Sequence, residues 1–307
     1  MNSSVLNSLC YTVGWFWCVL VGIHGYPILA AMGAIILTFI QLYHIKQRDV
    51  GLYIQDLFLV VFSIPLGILI ELFFTQIGFI KYSNTTIAFP PIWIISLYPL
   101  FSLLINHSLK VVKKSYPISF LMGFLGAPLS YMAGRSLGGL TFPYSMPYTW
   151  IILGISWGLF LCILVKIARI LEKSVAGTLK DRDSKETLKL LYDGDCPLCN
   201  REICMLQPRD RLGKIKFVDI ASKEYTPKEH GNVDYNTAML QIHAVDSNGN
   251  LLVGLPAFAK VYARCNLLLA STMLRIPFMQ LFLGPIYRLF ASKRLWITGR
   301  TNLKDES

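Results

Sequence analysis

The sequence predicts a multi-domain protein, an all-α six-helix transmembrane bundle followed by a smaller α/β domain. Three observations carry that reading. Of 307 residues, 54% are hydrophobic and only 15% charged, and mean hydropathy is +0.50; a soluble domain averages roughly 25% charged and 45–50% apolar residues. The deficit is confined to one end: residues 1–175 carry ten Lys/Arg and four Asp/Glu, residues 176–307 nineteen and fourteen. Apolar runs of spanning length, about 20 residues, crowd into that first part. The net charge of +11 divides as +6 and +5, and no Lys/Arg-rich run is interleaved with stacking aromatics, which argues against nucleic acid as a partner.

Six runs read as spans: about 5–23, 26–43, 52–73, 90–109, 117–137 and 148–168. Basic residues follow the second (Lys46, Arg48), fourth (Lys110, Lys113, Lys114) and sixth (Lys166, Arg169, Lys173), whereas the alternate loops hold only Lys81 and Arg135. Eight against two places both termini in the cytoplasm by the positive-inside rule. The Met-Asn-Ser-Ser start lacks the basic n-region of a signal peptide, so the first run is expected to stay as a helix.

Polar residues in these runs are few: Asp56, Glu71, Arg135, His24 and His107. All lie within about two turns of an expected helix end, where reaching the headgroups costs little; interfacial or structural roles are expected ahead of a bound or transported species. In the fifth run Gly123, Ala127, Ser130 and Gly134 recur at three- and four-residue intervals. That stripe of small side chains suits close helix packing, and Pro128 predicts a kink.

Gly14-Trp15-Phe16, Pro91-Ile92-Trp93 and the Gly126–Tyr131 run resemble an uncharacterised family of bacterial integral-membrane proteins, over about residues 5–170. The resemblance implies a fold and a location but no activity. Cys10, Cys18 and Cys162 form no Cys-x-x-Cys pair, which argues against electrons passing through the helices' own thiols.

Residues 174–187 are polar and charge-mixed and read as a linker, or a frayed helical exit, between a membrane domain over 1–173 and a second domain over 188–295; 296–307 is a tail. The second domain alternates elements. Strands are expected at Leu188–Tyr192, Lys214–Ile220, Ala238–Val245 and Leu251–Val253, and helices at Pro197–Gln207, Pro256–Leu269 and Pro277–Ser292. Asn248-Gly249 between two extended runs is a hairpin signal. Strand–helix–strand, then hairpin and helix, is the order of a thioredoxin-like α/β sandwich. The last two helices are apolar, interrupted by Arg275, Pro277 and Gly284-Pro285; they are expected to cover the sheet, their apolar face serving the core or a membrane surface.

The chemistry is expected where the first strand ends, in Tyr192-Asp193-Gly194-Asp195-Cys196-Pro197-Leu198-Cys199. Pro197 suits a first helical turn, which makes Cys196 the N-cap. Free amides of that turn, including that of Cys199, and the positive end of the helix dipole would then favour its thiolate. Cys196 would attack a substrate disulfide and Cys199 would resolve the mixed disulfide. This reading requires Cys196 to face solvent. Asp193 is the candidate to take the proton of Cys199, or else simply a turn residue at the strand's end.

Half a zinc site has the same spacing, but the remaining candidates, Cys204, Cys265, His230 and His243, form no second pair; no metal is expected, and no cofactor beyond the cysteine pair itself. A retained but inactive fold is the other alternative.

Asp193-x-x-Cys196-Pro197-x-Cys199 resembles the motif of the DCC-type thiol-disulfide oxidoreductase family, and the likeness extends through Arg201-Glu202, Phe217–Ile220, Gly254–Ala257 and Tyr287–Ala291. It implies Cys196 and Cys199 as the redox pair and Asp193 as the family's acidic residue. One departure is that Tyr235-Asn236-Thr237 stands where thioredoxins place a cis-proline before the third strand. The whole then reads as a thiol-disulfide oxidoreductase of protein-disulfide reductase type in a bacterial inner membrane. Its partners would be a protein or small-molecule disulfide or thiol and the lipid bilayer. The alternative is a membrane transporter or scaffold whose second domain senses redox state without turnover.

Overall fold

A computed structural model describes residues 3–83 and 89–297, and the chain divides into two compact units, Met1–Glu172 and Lys173–Ser307. In the first unit, α1 (Ser3–Ile23), α2 (Pro27–Lys46) and α3 (Val50–Gln76) are followed by a two-residue strand β1 (Lys81–Tyr82). Two short helices come next, α4 (Ile92–Ile95) and α5 (Leu97–Ser102), with 3₁₀ turns to Lys114, then α6 (Tyr116–Ser136), strand β2 (Leu140–Thr141) and α7 (Met146–Asp183). Local chemistry sets the starts. Pro27 occupies a first turn, where its missing N–H costs nothing. Asp49 accepts from Leu52 N at 2.9 Å and Ser115 from Ile118 N at 3.4 Å, as helix N-caps do.

Among the described residues of this unit, five helices are long and apolar enough to cross a membrane: α1, α2, α3, α6 and α7. The fourth expected span is not one of them. Ile92–Asn106 is apolar but too short: 15 residues rise at most about 22 Å as α-helix, against a hydrocarbon core of about 30 Å. Pro90 and Pro91 precede it, Pro99 interrupts it, and its last turn is 3₁₀. Of the two readings of 174–187, the helical exit holds over most of it, since α7 continues to Asp183. Leu171, Val175 and Thr178 are buried at helical spacing, a period hidden among the charges of Glu172–Asp183.

The second unit holds a four-stranded sheet in the order β4-β3-β5-β6, with β3 (Leu188–Tyr192), β4 (Ile215–Asp219), β5 (His243–Val245) and β6 (Leu251–Val253). β3 is parallel to β4 (Leu188 opposite Ile215) and antiparallel to β5, which pairs antiparallel with β6. Being central, β3 is buried on both faces. Leu188 and Leu190 pack with Ile203 and Leu206 of α8 (Pro197–Leu206) and with Ala257 and Val261 of a later helix, whereas Leu191 faces Val218, Val233 and Met239. This double burial explains its unbroken apolar run.

The third strand is shorter than expected. Its first half is a helix, α9 (Tyr235–Leu240), because Asp234 caps it, accepting from Thr237 N at 2.7 Å and Thr237 Oγ1 at 2.9 Å. Gly249, at φ +81°, turns the hairpin, and Asp246 Oδ1 accepts from the Asn248 and Asn250 amides. The chain closes with α10 (Leu255–Arg264), α11 (Leu268–Arg275) and α12 (Pro277–Ile297). α11 is tied into the unit through Ser271, which donates to Ala259 O at 2.7 Å and lies 3.1 Å from Thr178 Oγ1. α12 departs from the expectation of core packing: Ala291 is buried, but Leu281, Phe282, Ile286 and Leu289 are 62–71% exposed. From residue 298 on, the expected tail lies outside the described residues.

Candidate functional site

The end of β3 is held by the end of β4. Ile220 N donates to Tyr192 O at 2.9 Å, and the Asp219 carboxylate accepts from Gly194 N and Ala221 N, both at 2.8 Å. A Cβ on Gly194 would overlap that carboxylate, so glycine is the residue that lets the loop close on Asp219. Within the loop Asp193 Oδ1 accepts from Asp195 N at 3.1 Å, and Cys196 N donates to Asp193 O at 3.1 Å. Cys196 is the N-cap of α8, at φ −90° and ψ 117°, its carbonyl accepting from Asn200 N at 2.9 Å. The Asn200 side chain reaches back to Gly194 O. Asn200 and Asp219 were passed over by the sequence reading; their signal, a side chain matched to a loop amide or carbonyl, exists only once the two strand ends meet.

Two expectations change here. The Cys196 side chain makes no capping hydrogen bond, and Cys196 is only 1% exposed, so the sulfur expected to face solvent is enclosed. Its partner is the accessible one. Cys199 is half-buried and, with Asp193, lines a cavity of about 390 Å³. Leu198, Ile242, Phe258 and Phe290 form the apolar wall, and Arg201, Glu202 and Gln241 supply the polar groups. Gln241 and Ile242 precede β5, so they, rather than Tyr235–Thr237 on α9, face this cavity. Tyr262 donates to Glu202 Oε1 at 2.7 Å; burial first, then that acceptor, pushes its phenol up. Tyr287 of α12 accepts from Ile242 N at 2.9 Å, closing the far wall.

The remaining candidates lie apart from this cavity. Asp195 is exposed on the loop and Cys204 is exposed on α8. Cys265 is buried, its Sγ 3.7 Å from Leu206 O, and burial pushes its thiol up to about 12. His230 is buried and stacked on Tyr225 at 5.5 Å, and His243 is buried in β5. Among the described residues, no group of three or more His, Cys, Asp or Glu is placed to hold a metal ion.

In the first unit Asp56 and Glu71 are both 0% exposed, the structural rather than the interfacial alternative. Asp56 receives Asn106 Nδ2 and pairs with His107 Nε2, each at 2.7 Å. Glu71 accepts from Tyr82 and Tyr131 at 2.5 Å and from Tyr98 at 2.7 Å. His24 and Arg135 are exposed, as end positions should be. Of the small stripe, a Cβ on Gly123 would meet Trp157 O at 2.5 Å, the mark of close α6–α7 packing, whereas one on Gly126, outside the stripe, meets nothing. Gly126 instead borders a cavity of about 610 Å³, with Tyr11, Trp15, Tyr131 and Trp157 in its aromatic wall.

Comparison with known proteins agrees with this division. Residues 4–163, more than half of the chain, match the family model described as a protein of unknown function (DUF2878). The chain belongs to that family. Residues 190–300 match the DCC1-like thiol-disulfide oxidoreductase model, so this DUF2878 member carries a DCC1-like domain at its C-terminal end. A curated relative, an uncharacterized chloroplastic protein of Arabidopsis thaliana, is 40% identical over 131 residues, which is 41% of this chain and 61% of the relative. The chain thus spans about three-fifths of that relative's length. No solved structure matches.

Proposed function

We propose that the C-terminal domain is a thioredoxin-like module that exchanges a dithiol for a disulfide through Cys196-Pro197-Leu198-Cys199, tethered to a membrane by the helices of the first unit. The observation that carries this is the placement of Cys199 and Asp193 on one cavity, with Cys196 one helical turn away at the N-cap of α8. A bacterial inner membrane is part of this proposal; the five candidate crossings, an odd number, would leave the termini on opposite sides, so a cytoplasmic second unit, in the compartment that suits a cycling dithiol, requires the apolar stretch from Ile92 to Lys114 to make a sixth crossing.

Accessibility sets the order of attack. The Cys199 sulfur, its proton passed to Asp193, attacks one sulfur of the substrate disulfide; that S–S bond breaks and the departing thiolate takes up a proton. Cys196, as thiolate, then attacks the Cys199 sulfur of the mixed disulfide. The second substrate thiol leaves with a proton, and the Cys196–Cys199 disulfide keeps the oxidising equivalents. Two electrons have moved from the pair to the substrate, and an external dithiol restores the pair.

The test uses the full chain in detergent with dithiothreitol as reductant and insulin as a protein-disulfide substrate. Wild type is expected to turn over, Cys199→Ser to be inactive, and Cys196→Ser to accumulate a mixed disulfide at Cys199. Wild-type turnover no faster than the double Ser variant refutes the proposal; accumulation in Cys199→Ser instead restores Cys196 as the attacking sulfur.

The enclosure of Cys196 favours a second reading, in which the pair is oxidised once and reports redox state without turnover. It predicts disulfide formation in wild type with no catalysis of insulin reduction.

A further inference from the structure

α12 has two faces. Its inner face, with Tyr287 and Ala291, walls the Cys199 cavity. Its outer face presents Leu281 (71% exposed), Phe282 (64%), Ile286 (62%) and Leu289 (62%), which fall on one side of a helix at 100° per residue. A water-soluble domain rarely leaves so much contiguous apolar surface uncovered. α11 and α12 are together apolar enough for a broken span but are bent by 94° at Ile276, and α11 is tied to Thr178 and Ala259 inside the unit, which favours α12 as a helix separate from α11.

Charge selects the occupant. From Ser247 through Lys304 the chain has eight Lys/Arg and no Asp/Glu; Arg288 and Lys293 of α12 are exposed beside the apolar face. A second copy pairing through this face would bring basic helix against basic helix, as a two-fold interface must. An anionic bilayer surface instead complements both features, apolar side chains entering the acyl boundary and basic ones meeting headgroups.

We infer that α12 lies in the interface of an anionic lipid bilayer, placing one wall of the Cys199 cavity at the membrane surface. This rests on the proposed membrane location of the first unit.

The test places a photo-crosslinking benzoylphenylalanine singly at Phe282, Ile286, Glu224 or Leu69 of the full chain, reconstituted in vesicles of phosphatidylethanolamine and phosphatidylglycerol. Glu224 is exposed on a polar loop, and Leu69 is 63% exposed on α3. Lipid adducts at Phe282 and Ile286 are expected to exceed those at Glu224 by roughly five-fold or more, approaching those at Leu69. A dimer crosslink, an internal crosslink to another part of the chain, or no lipid adduct at Phe282 and Ile286 while Leu69 labels overturns the inference. Failure of Leu69 to label overturns the membrane reading itself, a separate outcome.

Discussion

The two units satisfy their acids by opposite means. In the first, Glu71 and Asp56 sit 0% exposed and are satisfied by side chains far along the chain, tyrosines 11, 27 and 60 residues away and an Asn-His pair 50 and 51 away. In the second, Asp193, Asp219 and Asp234 accept from backbone amides of their own turns or of the adjoining strand end. A membrane helix has spent its amides internally, so a carboxylate there must recruit hydroxyl, amide or imidazole groups from other helices. A loop in an α/β domain offers free amides within two or three residues. An acid in the first unit therefore joins the bundle together, and one in the second shapes a single turn.

The largest test of that contrast is Glu71→Leu, which removes the carboxylate shared by three buried phenols; a buried hydroxyl that loses its acceptor costs about 1–3 kcal/mol. Thermal unfolding in detergent should fall well below wild type, with Glu71→Gln, which keeps an acceptor, in between. Equal melting of the Leu and Gln variants contradicts the role given to the tyrosines. Gly194→Ala should act locally, costing about 1–3 kcal/mol through displacement of Asp219 from two amides. Hydrogen exchange should rise in 192–200 and 219–221, with α1–α3 unchanged.

A smaller effect follows from His243 and His230. Burial lowers both imidazoles below the ordinary 6.5, so the unfolded chain binds the proton more readily than the folded one. Their contribution is present above pH 6.5 and is lost as pH falls from 6.5 through the folded values. His243→Gln should flatten the decline in melting temperature between pH 7 and 5; an unaltered slope removes His243 from the account. The smallest effect concerns thiol labelling. Maleimide should modify exposed Cys204 first and half-buried Cys199 next, and leave Cys265 untouched until unfolding, as peptide mass spectrometry will show.

These features differed in how far the chain disclosed them. The strands β3 and β4, the N-cap position of Cys196 and the hairpin at Gly249 were legible because each rests on local periodicity or turn chemistry. The failure at Ile92–Asn106 came from counting apolar residues without weighing three prolines. The α9 helix was hidden because Asp234-x-x-Thr237 is a cap only when its side chain turns inward. The enclosure of Cys196 and the interior position of Glu71 depend on which elements meet in space, and no local pattern encodes that. Exposure of α12 was half legible: its apolar face was plain, its direction was not.

The central claim is that Cys196 and Cys199 form one redox pair. Equilibrating the full chain in graded reduced and oxidised glutathione, then alkylating and reading the peptide spanning 193–201 by mass, tests it most directly. The account predicts a single cooperative loss of two alkylation sites in that peptide, two mass units lighter, with Cys204 and Cys265 outside the bond. Independent glutathione adducts on the two cysteines, or a disulfide from either to Cys204, would contradict it.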